Sequence, residues 1–241
     1  MLLKPTLPSM SKPIMLVHPI TILCLCVLSL NCFAQEDQVL LQFVCFPKRT
    51  NGKPVELLIG QGKTASVELP TNCLSPVYKV NRLTKWILGK SSTGDEGEFV
   101  FDTYGAAPSL TAPKQLVLVI RKGANVADGF KLIPMSNEAS KFGGGKYFFM
   151  NAAKVPIAVK IGGTKFALKP RDHKLVKPTP SKVKGKRRYL YTYLHFRRGT
   201  EAVPFYESTW RFSEKARCMV FLYHDPHSNQ LRTHTIRDYI R

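Results

Sequence analysis

VELLIGQGKTASVELP, residues Val55 to Pro70, and IAVKIGGTKFALKP, residues Ile157 to Pro170, decide the fold class of this chain. Each reads as an alternating strand, an Ile-Gly turn, a second alternating strand and a closing Pro. Alternation of apolar and polar side chains marks a strand with one buried face. Gly at the turn supplies the backbone freedom that a tight hairpin needs. A second pair of stretches follows in the same order. LVLVIRKGANVADGFKLIP (Leu116 to Pro134) is echoed by CMVFLYHDPHSNQLRTHTI (Cys218 to Ile236). Repetition on this scale points to two small β units in tandem and away from one large enzyme fold.

Outward from these hairpins the rest of the chain reads as further strands. VLLQFVCF (Val39 to Phe46), VYKVNRLTKWIL (Val77 to Leu88) and EFVFDTY (Glu98 to Tyr104) are β-rich, and KSSTGDEGE (Lys90 to Glu98) is a polar turn between them. KYFFMN (Lys146 to Asn151) opens the second unit as QFVCF opens the first. YLYTYLHF (Tyr189 to Phe196) is a strand with Tyr189, Tyr191, Tyr193 and His195 on one face and Leu190, Thr192, Leu194 and Phe196 on the other. Prolines and glycines recur throughout, and no stretch after the N-terminal segment shows a capped helical period. That is the pattern of an all-β sandwich protein. The expected organisation is a signal peptide at 1–34, a first β-sandwich domain at 36–137, a linker at 138–144 that runs into the glycines 143–145, and a second, strongly basic β-sandwich domain at 145–241.

The N-terminal segment has Lys4 and Lys12 before an apolar stretch from Ile14 to Leu30, and Cys32-Phe33-Ala34 offers small residues for signal peptidase. This is a secretory pattern, with Gln35 as the mature start. Retention of the same segment as a membrane anchor is the alternative. Asn31 does not suit the position before a lipidated cysteine. No later stretch is long and apolar enough to span a bilayer. The expected location is secreted or periplasmic.

In that oxidising setting the cysteines beyond the signal segment are Cys45, Cys73 and Cys218, an odd number. Cys45 and Cys73 share the first half and are the candidate disulfide. Cys218 opens the apolar run CMVFLY and reads as a buried small side chain.

The whole chain carries a formal charge of +20, and it is unevenly placed. Residues 35–142 hold 13 basic and 10 acidic side chains, whereas residues 143–241 hold 21 and 6, so the net charges are +3 and +15. An excess of that size on one unit suits a polyanion or an anionic surface. Its densest part is the loop KPTPSKVKGKRR (Lys177 to Arg188), which runs into the tyrosine strand. The candidate polyanion-binding residues are therefore Lys182, Lys184, Lys186, Arg187, Arg188, Tyr189, Tyr191, Tyr193, Arg197 and Arg198. The competing account has the tyrosines packed inside while the lysines keep a loop soluble.

Other chemistry finds less support. His224, His227 and His234 lie on or beside a predicted hairpin and form the candidate metal set, but Asp225-Pro226-His227-Ser228-Asn229 is also an ordinary turn sequence. The chain has no GxSxG elbow, HExxH, Walker loop or dinucleotide fingerprint. Gly60-Gln61-Gly62-Lys63-Thr64 resembles the end of a phosphate loop, yet it lacks the leading Gly and sits between two strands. No cofactor is expected, and an enzyme is disfavoured.

KYFFMNAAKVPIAVKIGGTKFALKP, RYLY, TYLHF and FYESTW resemble secreted bacterial proteins built from Ig-like β-sandwich domains. The likeness is carried mainly by Tyr147 to Pro170, with a fainter echo at Gln42 to Pro70. It implies tandem Ig-like sandwiches and brings no assigned activity, so no functional residue transfers. The expectation is an exported, non-enzymatic protein whose second domain binds an anionic polysaccharide or lipid surface. Nucleic acid is a less suitable partner for an exported chain. The alternatives are a structural or assembly protein of the cell envelope that engages a protein partner through strand edges, and, more distantly, a hydrolase of an envelope polymer.

Overall fold

The structure is a computed structural model that describes residues 37–47, 54–122, 129–180, 182–184, 187–225 and 228–240. The expected signal peptide lies outside these residues. Residues 38–241 form one compact unit. Its described residues are all-β, built from four-stranded sheets with one short extra strand and a single helical turn.

The strands in chain order are β1 (Gln38–Phe46), β2 (Val55–Gly60), β3 (Lys63–Val67), β4 (Tyr78–Asn81), β5 (Lys85–Thr93), β6 (Phe99–Pro108), β7 (Lys114–Arg121) and β8 (Phe130–Ser136). One helical turn, α1 (Ala139–Phe142), follows. The second half holds β9 (Tyr147–Asn151), β10 (Ile157–Ile161), β11 (Thr164–Leu168), β12 (His173–Val176), β13 (Lys182–Lys184), β14 (Arg187–Arg198), β15 (Glu201–Phe212), β16 (Ala216–His224) and β17 (Leu231–Tyr239).

The two halves repeat one strand order. The first half pairs β4-β1-β7-β8 in one sheet and β3-β2-β5-β6 in the other. The second pairs β12-β9-β16-β17 and β11-β10-β14-β15. In each half the opening strand runs parallel to a late one, β1 with β7 and β9 with β16. The other paired strands are antiparallel. The Ile-Gly stretches form the hairpins β2–β3 and β10–β11, with Gly62 and Gly162 at positive φ. Among the described strands β13 alone lacks a counterpart, and the three residues between β4 and β5 leave no room for one.

Three apolar layers hold the sheets together. Phe43, Leu57, Trp86, Leu88 and Val117 fill the space between the two sheets of the first half. Phe149, Ile157, Val159, Leu190, Leu194 and Val220 do the same in the second. The third layer joins the halves: Val44, Phe46, Leu116 and Leu118 meet Phe148, Met150, Met219 and Phe221. There the rings of Phe46 and Phe221 stack with centroids 4.6 Å apart. The sheets containing β1 and β9 are consequently covered on both faces. This is why β7 and β16 read as unbroken apolar runs, whereas β2 and β10, which have one solvent face, alternate.

The expected linker is part of this packing. Phe142 of α1 is fully buried in the layer between the halves. Arg217, itself buried, donates Nη1–H to the Phe142 carbonyl at 2.9 Å, lies 4.8 Å from the Phe142 ring centroid, and pairs with Asp238 at 2.8 Å. The glycines after it serve close approach. A Cβ on Gly144 would overlap the Glu214 carbonyl, and Gly145 has φ 74°.

On the outer sheet of the first half, the Glu56 carboxylate accepts hydrogen bonds from the Ser91 hydroxyl and, at 3.1 Å, from the Ser91 amide. The Ser91 hydroxyl holds the Glu56 pKa below the usual carboxylate value. A folded-state pKa below the unfolded one stabilises the fold above the unfolded value near ~4.3 and loses that contribution as pH falls through the folded value. Ser91→Ala is expected to raise the Glu56 pKa toward the ordinary value and to flatten the acid limb of stability below about pH 4.5. Carbon-detected NMR titration of Glu56 reads the first effect. An unmoved pKa would remove Ser91 as its cause.

Candidate polyanion-binding face

The face is built on β14, twelve residues long and central in its sheet. Strand alternation sends Leu190, Thr192 and Leu194 into the core of the second half, where all three are fully buried. Tyr189, Tyr191 and Tyr193 project the other way and are half-buried. They belong to none of the three apolar layers. The tyrosines therefore form a column on the solvent face of an outer sheet, at a spacing of about 6.6 Å set by the strand rise.

Neighbouring strands add cations to that face. Lys160 on β10 stands opposite Tyr193, and Lys165 on β11 stands opposite Lys160. The Lys160 ammonium lies 5.2 Å from the Tyr193 ring centroid, a cation–π contact. Arg211 on β15 is opposite Tyr189, Thr209 opposite Tyr191 and Glu207 opposite Tyr193. Lys160, Lys165, Thr209 and Arg211 are exposed. Arg187 and Arg197 share the tyrosines' parity and are exposed at the two ends of the column. The short strand β13 places Lys182 in register with Tyr189 and Lys184 in register with Arg187.

The face does not gather every candidate cation. Arg188 has the parity of Leu190, so it turns to the inner side of the sheet. There it pairs with Glu214 at 3.0 Å and lies 4.9 Å from the Phe212 ring centroid. That hydrogen bond and charge hold the Glu214 carboxyl below its ordinary pKa. Arg198 has the same parity and lies 5.8 Å from the Phe196 ring centroid. Lys186 is outside the described residues. Lys160, Lys165 and Arg211 escaped the sequence reading because they lie outside the basic loop. The alternation of IAVKI and TKFAL carried the signal, but it becomes readable only once β10 is known to pair with β14.

Of the three candidate histidines, His224 and His234 lie on opposite faces of their sheet. His234 lies in the layer between the halves, against Phe46 and Phe221, and its Nε2 is 2.8 Å from the Thr71 carbonyl oxygen. His224, at the end of β16, has the parity of Leu222 and so belongs to the opposite face of that sheet. His227 lies outside the described residues. No group of three His, Cys, Asp or Glu side chains is arranged to hold a metal among the described residues.

Cys45 is buried and Cys73 exposed, and no disulfide joins them, so the one expected between them is not formed in this structure. Cys218 is buried in a row with Tyr147 and Arg237. Burial pushes both its thiol and the Tyr147 phenol up in pKa. That suits packing and leaves the thiol un-ionised at neutral pH. Among the described residues no helix is long and apolar enough to cross a membrane.

No protein-family model matches the chain, and no curated protein matches it in sequence.

Proposed function

We propose that this protein is an exported, non-enzymatic binding protein of two tandem Ig-like β-sandwich domains behind a signal peptide. Its second domain binds an anionic polysaccharide along the outer face of the β14 sheet. The observation that carries the reading is the column Tyr189, Tyr191 and Tyr193 on a solvent-facing sheet surface, with Lys160, Lys165, Arg187, Arg197 and Arg211 around it. Amphipathic rings offer flat surfaces for a sugar or another planar group, and the cations neutralise its charges. The excess of +15 in residues 143–241 draws a polyanion to this half. The face is an open sheet surface, which suits a polymer lying across it.

Retention on immobilised heparin tests the reading. Changing Lys160, Lys165, Arg187, Arg197 and Arg211 together to Gln is expected to lower the eluting salt concentration sharply. Changing the inward Arg198 alone to Gln is expected to leave it nearly unchanged. Equal elution of the wild type and the five-fold variant would overturn the proposal. Single-stranded DNA and anionic vesicles, run as competitors, separate the polysaccharide from the other polyanions. A partner held through strand-edge pairing would instead resist salt.

A further inference from the structure

A second site lies between the halves, away from the tyrosine face. The parallel pairs β1/β7 and β9/β16 end at the same side of the molecule. Beyond the stacked rings of Phe46 and Phe221 the two inner sheets leave a cleft of about 1160 Å³. This is somewhat larger than most small-molecule sites, roughly 300–1,000 Å³, and leaves room for a long chain. Its apolar floor includes Phe46 and Ile120 from the first half and Met150 and Tyr223 from the second. Its walls carry Arg121, Lys122, Lys131, Lys154 and Arg171, with His224 at the end of β16, and no carboxylate lines it among the described residues.

Two features of these cations go beyond an ordinary basic surface. Arg121, at the end of β7, is only 9 % exposed; it has the parity of Val117 and Val119 and turns toward the core of the first half at the edge of the cleft. Arg171 has φ 66°, in the left-handed region where a residue other than Gly or Asn is uncommon. Its amide donates to the Asn151 carbonyl at 2.8 Å, which fixes that backbone at the cleft rim. An apolar floor under several like charges calls for a ligand with a matching division: an alkyl chain and an anionic head.

We propose that the cleft between the two halves binds a long-chain carboxylate, with the chain on Phe46, Ile120, Met150 and Tyr223 and the head among Lys131, Lys154 and Arg171. The site is independent of the polymer-binding face in both residues and chemistry. The floor gives affinity through apolar burial, worth about a fourfold gain per methylene when each is fully removed from water. The rim selects the sign of the headgroup.

Calorimetric titration of the full chain with octanoate, decanoate and dodecanoate, each below its micelle-forming concentration, tests this. Affinity is expected to climb with chain length by up to about fourfold per methylene. Combined Lys131→Gln, Lys154→Gln and Arg171→Gln substitution is expected to weaken dodecanoate about tenfold at low salt, the loss of one strong charge-assisted contact. These side chains are exposed, so the thermal midpoint should stay near the wild-type value. Dodecyltrimethylammonium should bind far more weakly than dodecanoate. Affinity independent of chain length, equal binding of the cationic amphiphile, or an unweakened triple variant would each overturn the proposal. So would loss of dodecanoate binding in the Lys160, Lys165, Arg187, Arg197 and Arg211 variant, because the carboxylate would then sit on the tyrosine face.

Discussion

Asn151→Leu is expected to cost roughly 3 kcal/mol or more of folding stability, as several buried polar groups lose their partner at once. Asn151 ends β9 and is fully buried. Its side-chain amide donates to the carbonyls of Val155 at 2.9 Å, Leu168 at 3.1 Å and Lys169 at 3.2 Å, and its Oδ1 accepts from the Ala153 amide at 3.0 Å. Its backbone amide donates to Asp172, and its carbonyl accepts from Arg171. One residue thus ties the end of β9 to the start of β10 and to the turn after β11. Leu keeps the same branched heavy-atom skeleton, so the substitution removes the hydrogen bonds, and its bulkier methyl groups add crowding in a fully buried site. Urea unfolding should show a lower midpoint with an unchanged slope. A wild-type midpoint would mean that the corner is held by other contacts.

Phe221→Ala is expected to cost about 3–5 kcal/mol, the usual range for a fully buried aromatic side chain. Its ring is buried in the layer between the halves, stacked on Phe46. The larger consequence is where the loss is felt. A layer shared by both halves makes each half part of the other's core, so they should unfold together. The chain carries two tryptophans, and each half has one: Trp86 on β5, fully buried, and Trp210 on β15, half-buried. Single-tryptophan variants made with Trp86→Phe or Trp210→Phe should give coincident unfolding curves, and Phe221→Ala should shift both. A Trp86 transition that stays in place while the Trp210 transition moves would show the halves to be independent.

Hairpins and outer strands were legible in the sequence because their information is local. Alternation in VELLI, IAVKI and YLYTYLHF fixes which side chains share a face, and β14 has the faces that its sequence predicts. The inner sheets were less legible. A run such as CMVFLY shows burial on both faces, but it does not say that the second cover is the other half of the same chain. The glycines of 143–145 read as freedom, whereas their role is close backbone approach, which depends on a carbonyl some seventy residues away in sequence. At the candidate site, charge density drew attention to Arg188 and Arg198. Parity along β14 turns both away from the tyrosines, and that much could be read from the sequence alone. Lys160, Lys165 and Arg211 reach the face only through pairing between distant strands, for which the sequence holds no local signal.

The central claim is that an anionic polymer lies on the tyrosine column among the surrounding cations. Its most direct test is the affinity for a defined heparin oligosaccharide as a function of salt, for the wild type and for the variant with Lys160, Lys165, Arg187, Arg197 and Arg211 changed to Gln. Each cation that neutralises a charge on the polymer contributes about 0.7 to the slope of log affinity against log salt, by analogy with single-stranded polyanions. The account predicts a steep wild-type slope, a much shallower one for the variant, and a further loss at every salt concentration when Tyr191 and Tyr193 are also changed to Ala. Parallel slopes for the wild type and the five-fold variant would contradict it.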